Sequence, residues 1–184
     1  MATGGDDDQI TSLAKSAGRG DRAALSEFIR ATQRDVWRTV AYLADPASAD
    51  DLTQETFLRA IDALPRFAGR STARTWLLSI ARRVVVDQIR YNKSRPRLSH
   101  VADLDDAFGR DRRGTRIENM VEIRILLDGL EATRREALVL TQVLGLSYAE
   151  AAEVCGCPIG TVRSRVARAR DDLLRAANES DCAG

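Results

Sequence analysis

The stretch from Ser147 to Arg170, SYAEAAEVCGCPIGTVRSRVARAR, constrains the fold of this chain more than any other. Ser147 and Glu150 have the spacing of a capping box, which starts a short helix. Gly156 is placed to end that helix in a turn with positive φ, and Pro158 suits the first turn of the next helix, where its missing N–H is not needed. The stretch therefore predicts a helix-turn-helix.

The second helix of this motif is predicted to bury one face and to present the other to DNA. Its buried stripe consists of apolar residues at helical spacing, namely Ile159, Val162, Val166, Ala169 and Leu173. The opposite face carries small residues between arginines and could enter a major groove. Seven residues are assigned to DNA on this basis: Thr161, Arg163, Ser164, Arg165, Ala167, Arg168 and Arg170. An arginine-rich solvated helix face is the alternative interpretation.

Composition supports an all-α fold made of two small helical domains. The chain has 184 residues, of which 44% are hydrophobic and only 5% aromatic, and strand-like alternation is scarce. No apolar run reaches membrane-spanning length, and the acidic start is the reverse of a signal peptide, so we expect a cytoplasmic protein without membrane insertion.

Few residues in the chain suit catalysis or metal binding. There is one histidine, there are three cysteines, and no nucleophile has a base nearby, so we expect no metal, no cofactor and no enzymatic activity. Cys155 is expected to be a small core residue. A redox role for Cys157 or Cys182 stays open.

The chain divides into a first domain, a linker, a second domain and a tail, predicted at residues 1–93, 94–116, 117–177 and 178–184. The linker contains Pro96, Gly109 and Gly114 and shows no clear period, so it is expected to be flexible. In the second domain, the segment 117–130 is expected to be helical. Val121, Ile125 and Leu126 should point inward there, and Thr133 with Glu136 should cap the following helix.

In the first domain, Gln9 to Ala17 and Arg22 to Leu43 are predicted helices, and Asp21 is placed to cap the second one. A capping box of Ser48 and Asp51 should open the helix DDLTQETFLRAI at residues 50–61. On the polar face of that helix, Leu58 is an apolar side chain among acids. A protein partner with a basic, partly apolar surface would fit there. A solvated acidic face with one exposed leucine fits the pattern equally well.

The segment that follows Pro65 is strongly basic. RFAGRSTAR, at residues 66–74, is predicted to be a loop with a cap at Ser71, and a helix should follow to about Tyr91 with Trp76 in its core side. Thr75, Ser79 and the arginines are expected to share the other side. Arginine and small polar residues that lead into a basic helix suit a phosphate backbone or an unstacked strand.

These three segments, in this order, resemble the extracytoplasmic-function sigma factors, the two-domain initiation subunits of bacterial RNA polymerase. The chain is especially similar to the sigma factor C type of mycobacteria and their relatives. The resemblance implies that the helix DDLTQETFLRAI docks on the clamp helices of the largest polymerase subunit. The matching positions are Asp51, Gln54, Glu55 and Leu58.

The resemblance also implies that RFAGRSTARTWLLSIARRVVVDQIR binds the promoter minus-ten element and that the helix-turn-helix reads the minus-thirty-five element. The minus-ten positions are Phe67, Arg70, Ser71, Thr72, Arg74, Arg82, Arg83 and Arg90. No P-loop is present, so strand opening would rely on binding energy, through capture of an unstacked non-template base in the loop from Phe67 to Thr72.

Further expectations follow from the same resemblance. Asp103, Asp105 and Asp106 of the linker would lie on the path that RNA later takes. Trp76 lacks the paired aromatic of housekeeping sigma factors, so melting should be confined to favourable promoters. Core RNA polymerase, duplex promoter DNA and the non-template single strand are the expected partners, with an anti-sigma factor as a further candidate. The alternative is a helix-turn-helix transcriptional regulator without sigma activity.

Overall fold

A computed structural model describes residues 4–94, 123–124 and 126–181, and these residues form helices and turns without a strand. The all-α prediction is confirmed. The helices are α1 (Gly4–Gly18), α2 (Arg22–Leu43), α3 (Ala49–Ala63), α4 (Ala73–Ser94), α5 (Ala132–Leu138), α6 (Tyr148–Cys155) and α7 (Ile159–Asp181). Short 3-10 turns occupy Pro46–Ser48 and Leu64–Arg66, and a π-helical turn at Val139–Val143 extends α5.

Helices α1 to α4 pack around α2 as a first helical unit. The carboxylate of Asp21 accepts hydrogen bonds from the backbone N–H groups of Ala23 and Ala24 at 2.9 and 3.0 Å, so the predicted cap of α2 is confirmed. Phe28 and Val36 lie on the buried face of α2, in the hydrophobic core that α2 shares with α1, α3 and α4. Burying a side chain such as Phe28 contributes on the order of 2 kcal/mol.

Helices α5 to α7 form the second unit, which contains the predicted helix-turn-helix. The capping box is present: Ser147 Oγ accepts from the N–H of Glu150, and Glu150 accepts from the N–H of Ser147 at 2.8 Å. Gly156 ends α6 with φ of 64°, the left-handed conformation that favours glycine. Val162 and Val166 of α7 are buried against α5 and α6, so the two helices of the motif are fixed relative to each other.

The two units pack against each other. Helix α4 of the first unit contacts α6 of the second. Tyr42 and Leu78 belong to the first unit by sequence, but their side chains are buried in the hydrophobic cluster of the second unit. The face of α4 that carries Leu78 is therefore covered by the helix-turn-helix unit.

Two predicted caps of the first unit are wrong. Ser48 makes no capping hydrogen bond, because Pro46 opens a 3-10 turn whose cap is Asp45. Ser71 does not cap α4. Thr72 does so, since its hydroxyl accepts from the N–H of Thr75 at 3.1 Å. Both helices begin within one to two residues of the predicted positions, but different side chains satisfy their backbone donors.

Three predictions for the second unit are also corrected. The cap of α5 is Glu131, whose carboxylate accepts from the N–H of Thr133 at 3.1 Å, and not the predicted pair of Thr133 and Glu136. Glu136 instead forms an ion pair with Arg82. Leu126 is exposed, whereas its neighbour Leu127 is buried, because this short helical segment is rotated from the predicted phase. Ile159 is exposed as well, since it lies in the first turn of α7 beside the open turn at Gly156.

Several sequence predictions fall outside the described residues. These are the linker beyond Ser94, including Asp103, Asp105 and Asp106, the inward positions Val121 and Ile125, and Cys182. Helix α7 continues to Asp181, into the segment expected to be a tail. In the parts of the chain that the structure describes, no helix is long and apolar enough to cross a membrane.

Candidate nucleic-acid and polymerase interfaces

Helix α7 presents the face that the sequence assigns to DNA. Val162, Val166 and Ala169 are buried, so Ser164 and Arg168 on the opposite side are exposed. Ser164 Oγ donates to the carbonyl of Thr161 at 2.9 Å and is held close to the helix. Among the described residues, Arg168 makes no hydrogen bond and no ion pair, so its guanidinium is available at the centre of the face.

The arginines on the two shoulders of α7 have partners within the protein. The guanidinium of Arg163 lies 6.0 Å from the centre of the Tyr148 ring. Arg165 Nη1 is 3.7 Å from the sulfur of Cys157, and Arg170 Nη2 donates to Gln142 Oε1 at 2.9 Å. These contacts direct the shoulder cations toward α6 and the end of α5. Thr161 and Ala167 complete the assigned set at half-buried and exposed positions of α7.

The loop between the first unit's last two helices has a fixed shape. The centroids of the Phe67 and Trp76 rings lie 4.9 Å apart, and the ring planes are inclined by 41°. Trp76 packs against the core but is only partly buried, so the predicted core position is only partly correct. Gly69 has φ of 67°. Arg70 is exposed, and Ser71 and Thr72 are half-buried before the start of α4.

The arginines assigned to the minus-ten element divide into two groups. Arg83 and Arg90 are exposed on α4. Arg74 is buried, with Nε 2.6 Å from Asp35 Oδ2 and Nη2 donating to the carbonyl of Leu144 at 2.7 Å. Arg82 pairs with Glu136 of α5 through Nε and Oε1 at 2.5 Å. In this arrangement Arg74 and Arg82 therefore contact the second unit.

Thr75 was expected on the polar side of α4 and is instead buried. It lies in the first turn, where its hydroxyl accepts from Thr72 Oγ1 at 2.9 Å. The polar side chain is thus satisfied locally, without solvent. Ser79 of the same predicted face is half-buried and lines a shallow groove with Arg59, Trp76 and Arg83.

Glu136 and Cys155 lie together at the junction of the units. Burial, with the nearby Glu136 carboxylate, raises the pKa of the Cys155 thiol to about 12. The thiol therefore stays neutral at physiological pH, as expected of a core cysteine. Among the described residues, no group of His, Cys, Asp and Glu could hold a metal ion.

The polar face of α3 is exposed to solvent. Leu58 is 53% exposed, and Asp51 and Gln54 are exposed on the same helix. Glu55 is half-buried and pairs with Arg59 at 2.7 Å, and Arg59 also pairs with Asp87 of α4 at 2.7 Å. An apolar side chain is thus surrounded by carboxylates on a helix that is braced against α4.

Sequence reasoning missed the polar contacts that join the two units. Arg124 donates to the carbonyls of Ala41 and, at 2.8 Å, Ala44 at the end of α2. The carbonyl of Leu144 and the carboxylate of Glu136 were also not assigned as partners of Arg74 and Arg82. In each case donor and acceptor lie dozens of residues apart in the sequence, and three of the acceptors are backbone carbonyls, so no local pattern could have revealed these contacts.

Comparison with known proteins agrees with this geometry. Residues 28–95 match the family described as sigma-70 region 2, and residues 120–173 match sigma-70, region 4. The first match runs from Phe28, within α2, past the end of α4, and the second contains the helix-turn-helix. The chain belongs to the extracytoplasmic-function (ECF) sigma factors of RNA polymerase, and it is an alternative sigma factor.

Individual relatives support this assignment along the whole chain. The ECF RNA polymerase sigma factor SigC of Mycobacterium tuberculosis is 58% identical over 183 residues, covering 100% of this chain and 99% of that protein. The sigma factor EcfG of Rhodopseudomonas palustris is 39% identical over 129 residues, covering 68% of each chain.

Two solved structures have the same fold. CnrH, in complex with the cytosolic domain of CnrY, matches with a TM-score of 0.73 and 26% identity over 93% of this chain and 98% of CnrH. RpoE of Bartonella quintana, in complex with the anti-sigma factor NepR, matches with a TM-score of 0.64 and 26% identity, covering 83% of this chain and 96% of that one.

Proposed function

We propose that this sigma factor divides promoter recognition between its two units, and that α7 reads the minus-thirty-five element. The observation that carries this proposal is the exposed Arg168, unpaired within the described chain and at the centre of the α7 face opposite the buried valines. Arginine makes bidentate hydrogen bonds with guanine in the major groove, whereas cations on the shoulders of a recognition helix reach phosphates. Residues at the centre of the α7 face should therefore determine which base sequence is bound, whereas the shoulder residues should hold the helix on the DNA backbone.

The test is a binding series of Arg168→Ala and Arg165→Ala against every single-base change in the minus-thirty-five element at fixed salt. Arg168→Ala should cost on the order of 1–3 kcal/mol at the preferred sequence and relax the choice at one or two positions. Arg165→Ala should weaken binding to all sequences about equally. If Arg165→Ala altered base preference and Arg168→Ala did not, the assigned orientation of α7 would be wrong.

For the first unit, we propose that the loop Phe67–Thr72 captures an unstacked non-template base of the minus-ten element. The exposed Arg70, Arg83 and Arg90 supply cations near this loop and along α4 for the phosphates. Arg74 and Arg82 can contact the phosphates only after the two units separate, because both side chains are bonded to the second unit across the junction. Promoter binding therefore requires a more open arrangement of the two units.

Helix α3 is the proposed docking site for the clamp helices of the polymerase largest subunit, through Asp51, Gln54, Glu55 and Leu58. The exposed leucine supports this, since surrounding carboxylates favour a basic partner with an apolar contact. Because CnrH and RpoE were solved with CnrY and NepR, an anti-sigma factor for this chain is also proposed. Transcription from a cognate promoter by core polymerase with this chain separates these roles from those of a regulator without sigma activity.

A further inference from the structure

Helix α1 precedes, in the sequence, the residues that match sigma-70 region 2. One side of α1 nevertheless packs along the segment that connects α3 to α4. Thr11, Lys15 and Gly18 form a stripe on that side, at helical spacing. Thr11 Oγ1 accepts from the N–H of Ala73 at 3.0 Å, at the start of α4. At the other end, a Cβ on Gly18 would lie 2.6 Å from the carbonyl oxygen of Leu64. The stripe therefore contacts both sides of the loop Phe67–Thr72.

Lys15 lies between these two contacts, directly against Gly69. A Cβ on Gly69 would be 2.8 Å from Cε of Lys15 and 3.2 Å from its Nζ. The ammonium group thus rests on a part of the loop that has no side chain. Lys15 is exposed and, within the described parts of the chain, forms no ion pair and no hydrogen bond.

The charges near Gly69 favour an anion. Arg70, the next residue of the loop, is also exposed and also lacks a partner among the described residues. Asp8, the nearest acid of α1, precedes Lys15 by about two helical turns, roughly 10 Å along the axis. Two cations from separate elements therefore lie beside a single glycine of the loop, an arrangement that suits the phosphates of a single strand.

We propose that Lys15 binds a phosphate of the single-stranded promoter DNA held by the loop Phe67–Thr72, and that Thr11 is a positioning residue for that loop. The inference rests on the proposed base capture and adds α1 to the site. Lysine suits this contact because its ammonium is a compact charge on a flexible stem, which can follow a phosphate without a fixed geometry. Thr11 fixes the end of the loop through the N–H of Ala73.

The experiment uses the full chain with core polymerase and a promoter that carries a fluorescent base analogue in the non-template minus-ten strand. Opening is measured over a salt series. Lys15→Ala should reduce the slope of log K against log salt by about 0.7, the value for one phosphate of a single strand. Lys15→Arg should keep most of the slope. Arg30→Ala removes the same charge from an exposed position of α2, opposite its buried Phe28, and should leave the slope unchanged.

Thr11→Val tests the positioning role, since valine keeps the shape but cannot accept from Ala73. Strand capture should weaken while the salt slope stays at the wild-type value, and Thr11→Ser should restore capture. A purely structural role would instead lower the melting temperature of Thr11→Val without a selective loss of capture. That result would overturn the positioning role.

Phosphate binding by Lys15 and base capture by the loop Phe67–Thr72 can be refuted separately, because they predict different results for these variants. If Phe67→Ala and Arg70→Ala impair opening while Lys15→Ala behaves like Arg30→Ala, the Lys15 inference is wrong and base capture stands. If the Phe67 and Arg70 variants open the promoter like the wild type, base capture by this loop is wrong and the Lys15 inference falls with it. Melting temperatures of all variants establish that each is folded.

Discussion

Asp7 is a carboxylate in a position that disfavours its charge. Its Oδ1 is buried and has no hydrogen-bond partner among the residues that the structure describes. Burial raises the pKa of Asp7, the positive charge of Arg74 opposes this, and the carboxylates of Glu150, Asp6 and Asp35 add to the increase. Charged side chains from α1, α2, α4 and α6 therefore act on this one carboxylate.

This environment predicts that Asp7→Asn stabilises the fold at neutral pH. Because the folded-state pKa is raised, ionised Asp7 destabilises the folded protein at any pH above that pKa. The penalty disappears as the pH falls below the ordinary pKa of the carboxyl. Thermal melts of Asp7→Asn and wild type should therefore differ most at neutral pH and converge in acid. Asp8→Asn makes the same charge change at an exposed position and should have little effect. An Asp7→Asn variant less stable than wild type at pH 7 would contradict this account.

At the scale of elements, α3 offers the sharpest test of polymerase docking. Leu58→Asp should weaken binding to core polymerase by roughly ten-fold or more, because a buried apolar contact would be replaced by a charge among carboxylates. The helical content should not change, since Leu58 is 53% exposed. Binding is measured by titration of labelled core polymerase.

Leu174→Asp is the matched control for that experiment. Leu174 is 64% exposed on α7, far along the chain from α3, and the same substitution there adds the same charge. We expect it to bind core polymerase more tightly than Leu58→Asp does. Equal affinities for wild type and Leu58→Asp would exclude this face of α3 as the docking site.

The elements were the most predictable part of the structure. Helix α2 spans the predicted residues Arg22–Leu43, because a capping aspartate and a long apolar stripe both mark it. The helix-turn-helix was predictable for the same reason, since Ser147, Gly156 and Pro158 each have a defined backbone role. The caps at Thr72 and Glu131 were not, because neighbouring Ser, Thr and Glu residues can all accept the same backbone donors.

At the scale of the whole molecule, the packing of the two units could not be predicted. Helical periodicity identifies apolar faces but does not say which core buries them. Leu78 and Tyr42 belong to helices of the first unit, yet they lie in the second unit's cluster. The arginines of α4 were equally ambiguous, because an exposed cation and a cation paired with a distant acid have the same sequence pattern.

The ion pair of Arg82 and Glu136 provides a test of this packing. The Glu136 side chain is 10% exposed and that of Arg82 is 29% exposed, so removal of the arginine would leave a mostly buried carboxylate unpaired. Arg82→Ala should disfavour the packed arrangement by on the order of 1–3 kcal/mol, less than for a fully buried pair. Small-angle X-ray scattering should show a larger radius of gyration.

Arg90→Ala is the control for this measurement, because it removes the same charge from an exposed position of the same helix. Its scattering should match that of the wild type. Glu136→Gln should behave like Arg82→Ala if the pair itself holds the units together. Wild-type scattering from both pair variants would mean that this ion pair is not needed for the packing and that the other contacts between the units maintain it.

Several polar contacts between the units end on main-chain oxygens, and this has a genetic consequence. Arg74 donates to the carbonyl of Leu144, and Arg124 donates to those of Ala41 and Ala44. Most replacements at these three acceptor positions keep the carbonyl, so single mutations there seldom remove the bond. Suppose that variants are selected for promoter binding that no longer requires the two units to separate first. Most of the recovered substitutions should then be at the donor arginines, and few should be at the three acceptor positions.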